Sequence, residues 1–182
     1  MSDESLQLRP FDPLHAPAVA SWVRDELELL WLAPGTVWPL TAAKVVGWTR
    51  PTDRPVLLFE GTESLPCGYA ELNPLRDSQA QLWIGHLVID PARRGGGLGR
   101  RFTRMLLAEA FAAPRVERVV MIVFPDNEAA VRCYKACGFR VTRQERHRFP
   151  PHRRDHSLLR MEITRAEAVR LSAETAAQEL PA

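Results

Sequence analysis

The sequence predicts an α/β (α+β) domain, and three observations predict it. Short runs rich in Val, Ile, Leu and Phe are interleaved with longer segments whose apolar residues recur every three or four positions, so strands and helices share one chain. Proline, glycine and asparagine mark the boundaries between them. The 182 residues suffice for one core, since a chain of this size buries roughly 70% of the surface its unfolded form exposes. Composition agrees: 46% hydrophobic and 25% charged residues is a globular balance, which excludes wholesale disorder and low-complexity architecture.

Residues 6–11 open the chain as a short strand beginning Leu6-Gln7-Leu8-Arg9. Residues 15–32 read as one helix, because Val19, Trp22, Val23, Leu27 and Leu30 fall at helical spacing and Ala33-Pro34-Gly35 stops it. Trp38-Pro39-Leu40 is a loop. Thr41 is the candidate N-cap of a second helix to about residue 49. A turn at 51–55 precedes a strand at 56–60, and the turn Glu63-Ser64-Leu65-Pro66 returns the chain as a second strand at 68–72. The longest strand runs from about 80 to 89 and closes at Asp90-Pro91.

A glycine cluster then leads into a helix at 98–112, striped by Leu98, Phe102, Met105, Leu106 and Ala110. Residues 119–124 form an apolar run expected to be a buried strand. Asn127 begins a helix ending near Cys137, with Gly138 as the residue beyond its C-cap. Strands follow at 139–147 and 156–164, joined by a loop rich in proline, arginine and histidine. Residues 165–179 are expected as a polar helix or a loose tail. The expected division is one domain over 1–164 with a C-terminal helix or tail over 165–182.

The formal charge of +2 conceals a split: residues 1–90 carry 6 basic and 12 acidic side chains, residues 91–182 carry 18 and 10. Net charges of −6 and +8 suggest two surfaces for two partners. The chain has no apolar run long enough to span a bilayer, so no membrane partner is expected. Its start, Met1-Ser2-Asp3-Glu4, lacks the basic and apolar regions of a signal peptide. The cysteines Cys67, Cys133 and Cys137 are odd in number and lack zinc spacing. No metal is expected, Cys133 and Cys137 read as two small buried thiols one helical turn apart, and a reducing, cytoplasmic setting fits.

Four of the ten glycines lie in Gly95-Gly96-Gly97-Leu98-Gly99, between a strong strand and a strong helix. Glycine lets the backbone turn sharply and approach a ligand, and a helix start offers unpaired N–H groups to a phosphate. Arg93, Arg94, Arg100, Arg101 and Arg104 surround the turn. The competing reading is a flexible turn with solvated arginines. A P-loop requires Gly-Lys-Ser/Thr, which Leu98-Gly99-Arg100-Arg101 does not supply. The dinucleotide pattern fails because Arg100 or Phe102 occupies the third glycine position.

Arg94-x-x-Gly97-x-Gly99 instead resembles the acetyl-coenzyme A loop of the GNAT superfamily, the Gcn5-related N-acetyltransferases. A second match, Asn127-x-x-Ala130-x-x-x-Tyr134-x-x-x-Gly138-Phe139, is similar to the family's later helix motif. Together with Leu87-Val88-Ile89-Asp90-Pro91 the resemblance covers about 53 residues in register. It implies a mixed, mostly antiparallel sheet with a splayed central strand pair, flanked by helices. It also implies acetyl-CoA as cosubstrate, the pantetheine arm on the backbone of Leu87, Val88 and Ile89, and the pyrophosphate on Gly95, Gly96, Gly97, Leu98, Gly99 and Arg100. Arg94 opens the loop motif, Asn127 contacts the ligand, and the nearby arginines can meet a 3′-phosphate through their guanidinium forks.

The implied activity is direct acetyl transfer to a primary amine of a small molecule or peptide. Tyr134 would give the leaving thiolate its proton, and a strand N–H, that of Val88, would face the oxyanion. A base is not carried over: positions where relatives have Glu hold Ile122 and Trp83 or Gln81 here. His86, Glu71 and Glu60 are the candidates, with Glu71 alternatively holding a cationic substrate. The missing base supports a second reading, a non-catalytic acyl-CoA-binding module on the same fold.

The acceptor is expected on the acidic half, which holds all five tryptophans, with the loop from Trp31 to Thr41 as a lid. Residues 140–154 hold six arginines against one glutamate but no base-stacking motif, so nucleic acid is not expected as partner. Family habit makes a homodimer, through edge strands or the final helix, the expected assembly.

Overall fold

The computed structural model describes residues 5–75, 78–152 and 154–178. Its strands are β1 (Leu6–Pro10), β2 (Arg54–Glu60), β3 (Gly68–Leu75), β4 (Ser78–Ile89), β5 (Arg118–Val123), β6 (Arg140–Arg148) and β7 (Asp155–Thr164). They form one seven-stranded sheet in the order β1-β2-β3-β4-β5-β7-β6. Every pairing is antiparallel except β4–β5. That one is parallel because α4 (Leu98–Ala112) carries the chain back across the sheet between them.

The parallel pair is short. Gln81, Leu82 and Trp83 face Arg118, Val119 and Val120, and no pairing follows beyond Trp83 among the described residues. β3 holds β4 on one side and β7 holds β5 on the other. The sheet therefore opens as a V whose arms are the rest of β4 and β5. This is the splayed central pair the sequence led us to expect.

Two cores follow from strand alternation, since successive side chains point to opposite faces. Leu58 faces α4 and joins Phe102, Leu106, Ala110, Ile84, Val119 and Met161. Leu57 and Phe59 face the other way and join Val19, Leu29, Val45 and Tyr69 beneath the N-terminal helices. Fully burying a side chain such as Phe102 stabilises the fold by roughly 1.5–3 kcal/mol.

The expected single helix at 15–32 is broken. A 3₁₀ turn (Pro13–His15) leads into α1 (Ala16–Ser21), and α2 (Glu26–Leu32) starts afresh. Asp25 causes the break. It is extended (φ −154°, ψ 175°), and its carboxylate accepts the Glu28 N–H at 2.8 Å as an N-cap. Trp22 and Val23 remain buried through the break. Thr41 caps α3 (Ala42–Val46), Asn127 caps α5 (Glu128–Ala136), and Gly138 takes φ 91° after it.

Residues Arg165–Gln178 form a helix, α6. Its first residue anchors it: the Arg165 guanidinium donates to the carbonyls of Phe111, Ala113 and Val116. No helix among the described residues is long and apolar enough to cross a membrane.

Candidate active site

The site begins with an irregularity in β4. Tyr69 pairs with Val88 and Glu71 with Gly85, so two residues, His86 and Leu87, stand opposite Ala70 alone. This is a β-bulge, which bends a strand and re-aims its side chains. His86 adopts φ 45°, the positive-φ non-glycine residue among those described, a conformation costing roughly 1–3 kcal/mol.

The bulge brings the His86 ring to Glu71, with Nδ1 2.8 Å from Oε1. Glu71 is 1% exposed. Its Oε1 also accepts the Tyr69 hydroxyl at 2.8 Å, and its Oε2 accepts the Asn73 amide at 2.8 Å. Burial alone would raise its pKa. Donation from His86, the His86 charge, and donation from Asn73 and Tyr69 outweigh that and hold the carboxyl below the usual range.

An ionised carboxylate only accepts, so the proton between them sits on His86 Nδ1. Whenever the imidazole carries that single proton, Nε2 presents a lone pair. Trp48 stacks on the imidazole at 4.4 Å and 20° and fixes its plane. Both Glu71 oxygens are thus engaged by partners within the protein. Glu60, the third candidate base, pairs instead with Arg93 at 2.6 Å.

His86 and Glu71 line a cleft of about 1470 Å³ that follows the V between β4 and β5. Leu87, Val88, Ile89, Arg94, Gly95, Gly97, Gly99, Arg100, Asn127 and Tyr134 line it too. Two predicted residues stand apart from the lining. Leu98 is buried in the core, and Gly96 is exposed on the turn.

Gly95 and Gly97 take φ 89° and 84°, and a Cβ on Gly95, Gly96 or Gly97 would meet nothing within 4 Å. The turn is thus an open cradle leading into α4, whose N-terminus has no side-chain cap. Arg100 is exposed beside it.

Arg94 has a different task from the other arginines. Its guanidinium donates to Ile89 O, Trp22 O and Glu28 Oε1, at 3.0, 3.0 and 2.9 Å. It ties the glycine turn to the end of β4 and to the break between α1 and α2. Burial pushes the Glu28 carboxyl up, but hydrogen bonds from Arg24 and Arg94 prevail and hold it at about 2.

Tyr134 is buried and contributes to the cleft lining. Burial, then the nearby Cys133 and Cys137, push its pKa up, so the phenol keeps its proton at neutral pH. The Asn127 side chain accepts Ala130 N at 3.2 Å and holds the start of α5.

The other arm of the cleft is aromatic: Trp31, Trp48, Trp83, Phe124 and Phe149 line it, with Asp53 among them. The expected lid is pinned, since Trp31 Nε1 donates to Asp126 at 3.2 Å and Trp48 Nε1 to Thr36 at 2.9 Å. Three arginines of the basic hairpin have acidic partners. Arg143 pairs with Glu145, Arg148 with Asp155 and Arg140 with Glu167.

A model of the acetyltransferase (GNAT) family matches residues 20–139. The chain belongs to the GNAT acetyltransferase family. This GNAT chain is 30% identical, over 141 residues, to a mycothiol acetyltransferase of Corynebacterium efficiens, a match covering 70% of the chain and 45% of the relative. It therefore spans about half the length of that curated relative. Solved GNAT structures share the fold. A spermidine N-acetyltransferase from Vibrio cholerae, in complex with CoA and spermine, has TM-score 0.74 and 16% identity, covering 90% of this chain and 98% of that one. Aminoglycoside acetyltransferase AAC(6′)-Ib, in complex with ribostamycin and coenzyme A, has TM-score 0.72 and 22% identity, covering 92% and 97%.

Within this GNAT fold, the sequence left Tyr69, Asn73 and Glu28 unmarked as site residues and gave Trp48 only as one of the five tryptophans of the acceptor half. The first two carried a signal. Tyr69-x-Glu71-x-Asn73 alternates, so a strand places all three on one face.

Proposed function

We propose that the chain transfers the acetyl group of acetyl-CoA to a primary amine of a small molecule or peptide. In this reading His86 is the base, Glu71 positions it, and Tyr134 is the acid. One observation carries it: the Glu71–His86 pair and Tyr134 line the same cleft as the open glycine turn. The residues fit the cofactor. A stretch of β4 unpaired on its β5 side, a glycine turn with open space around it, an uncapped helix start and an exposed Arg100 suit a pantetheine arm and its phosphates. Bound acetyl-CoA supplies an activated acyl carbon.

The chain's own groups do the rest. A lysine-like amine has pKa about 10.4, so deprotonating it costs roughly 4.6 kcal/mol at pH 7. His86 Nε2 is the lone pair that accepts this proton, while Glu71 holds the ring and faces the charge it gains. Tyr134 holds a proton for the departing sulfur. The Val88 N–H is turned to Tyr69 on β3, because Asp90 N donates to Cys67 O two residues along the same ladder; an N–H on the open side of β4 would face the carbonyl oxygen instead, an interaction worth about 2.7–4 kcal/mol where such donors have been removed. The aromatic arm receives the amine's body, with ring faces suited to a cation.

Coenzyme A release over a panel of polyamines, aminoglycosides, amino acids and peptides tests the proposal. Release with at least one amine, lost in His86→Gln, is the expected result. Stabilisation by acetyl-CoA without release from any amine would instead establish the non-catalytic module.

A further inference from the structure

The three cysteines occupy three different environments. Cys67 is buried under β4, where burial raises its thiol to about 11. Cys137 is buried on the inner side of α5, with its sulfur 3.6 Å from Arg100 O. Cys133, one turn earlier on α5, is half-buried and lines the cleft. Its Sγ lies 3.5 Å from where a Cβ on Gly99 would stand, against the first turn of α4. Neither sealed in the core nor used in the proposed chemistry, it is a thiol facing the place the proposed cofactor's phosphates would occupy.

We propose that Cys133 is a thiol-modification site of the cleft, open to small anionic disulfides and closed when acetyl-CoA is bound. The inference rests on reading this cleft as the cofactor site. Three features favour reaction there. The positive end of α4 and the exposed Arg100 favour a thiolate and attract an anionic disulfide. The Cys137 S–H has two acceptors in reach, Arg100 O and the Cys133 sulfur. Hydrogen bonding from Cys137, against the push of burial and helped by Thr103 and then Arg100, holds Cys133 below an ordinary thiol.

The step balances without an outside oxidant beyond the disulfide itself. The Cys133 thiolate attacks one sulfur of R–S–S–R, a Cys133–S–S–R bond forms, and RS⁻ leaves with the electron pair. The thiol proton goes to solvent. The added group then stands beside the glycine cradle and blocks it.

The test uses the full chain and 5,5′-dithiobis(2-nitrobenzoate), with the modified residue located by peptide mass spectrometry. Cys133 should be labelled before Cys67 and Cys137, with a pH midpoint below the roughly 8.5 of a free thiol. Acetyl-CoA at about 100 times its Kd should slow labelling roughly 100-fold, because about 1% of the cleft is then free. The labelled protein should lose its thermal stabilisation by acetyl-CoA. Cys133→Ser should resist labelling and keep that stabilisation, and Cys137→Ala should move the midpoint up. Labelling of Cys67 first, or labelling of Cys133 that acetyl-CoA leaves unchanged while still raising Tm, overturns the inference alone. Absence of any stabilisation by acetyl-CoA overturns the cofactor reading itself.

Discussion

Glu71→Gln changes one atom and leaves the volume of the site intact. Its carboxylate accepts three donors, from Tyr69, His86 and Asn73, at 2.8 Å each. A glutamine offers one carbonyl and one NH₂ group. If the NH₂ faces Asn73, two donors meet; if it faces His86 and Tyr69, the imidazole is driven to the tautomer with its lone pair on Nδ1. Either way a charge-assisted bond in a site 1% exposed is lost, worth about 1.5–3 kcal/mol. Carried into the transition state, that is roughly a 10- to 100-fold fall in kcat/KM at about 1.4 kcal/mol per decade. Steady-state coenzyme A release, with Tm measured on the same samples, reads it. The pH dependence has a definite sign. Glu71 has a lowered folded pKa, so its contribution to stability is present above the unfolded value, about 4.3, and is lost as pH falls through the folded one. Wild type should lose Tm below about pH 4.3, and Glu71→Gln should be flatter there. Tyr69→Phe, which removes one donor and keeps the charge, should retain most activity and guards against a misfolded glutamine variant. A folded Glu71→Gln protein with wild-type kcat/KM would refute the positioning role.

Tyr134→Phe should lower turnover by about 10²- to 10⁴-fold, the usual worth of general acid help, with acetyl-CoA binding nearly unchanged by calorimetry; unchanged turnover would remove Tyr134 from the chemistry. Gly97→Ala places a side chain at φ 84°, which costs roughly 1–2 kcal/mol, and puts a methyl group into the cradle. Weaker acetyl-CoA binding with a modest loss of Tm is expected, and full affinity would show that the cradle is not the binding surface. At Gly138, φ is 91° and a Cβ would run into Leu171 and Ile163. Gly138→Ala should therefore lower stability by about 1–3 kcal/mol in urea titration, and a neutral result would mean that α6 is not packed there.

What the sequence disclosed was local. The helix at 98–112 was legible to the residue because its apolar stripe, its glycine entry and its length all lie in one stretch. Asn127 as cap and Gly138 as the residue beyond α5 were legible for the same reason. The break at Asp25 was not, since apolar periodicity continues through it while the carboxylate caps a new helix. The structural bonds of Arg94 were not legible, because Trp22 and Glu28 lie more than sixty residues away. His86 and Glu71 were both legible as candidates, but their pairing was hidden by the same kind of distance. Glu71 and His86 are fifteen positions apart, and only the register of β3 on β4 decides whether they meet.

That register depends on a single extra residue. In a regular strand, Ile84 and Val88, four apart, would share a face with His86 between them. Here Ile84 packs under α4 and Val88 packs in the opposite core, with Tyr69 and Leu57. The bulge has switched the parity of β4. Without it His86 would follow Ile84 to the α4 face, away from Tyr69 and from Glu71 two residues on. Glu71 would then be a buried carboxylate short of one donor, and the imidazole left on the cleft would be that of His147, whose Nε2 is engaged by Glu145. Strain at His86 cannot be relieved by glycine, the residue its φ favours, because glycine would remove the ring the bulge delivers. Gly85 beside it serves the same end: a Cβ there would stand 3.1–3.3 Å from the Trp83 ring, which lies over it and walls the site. The local cost at positions 85–87 is thus tied to the dyad. A regular β4 would turn His86 away from Glu71 and would also exchange the cores that Val88 and Ile89 enter.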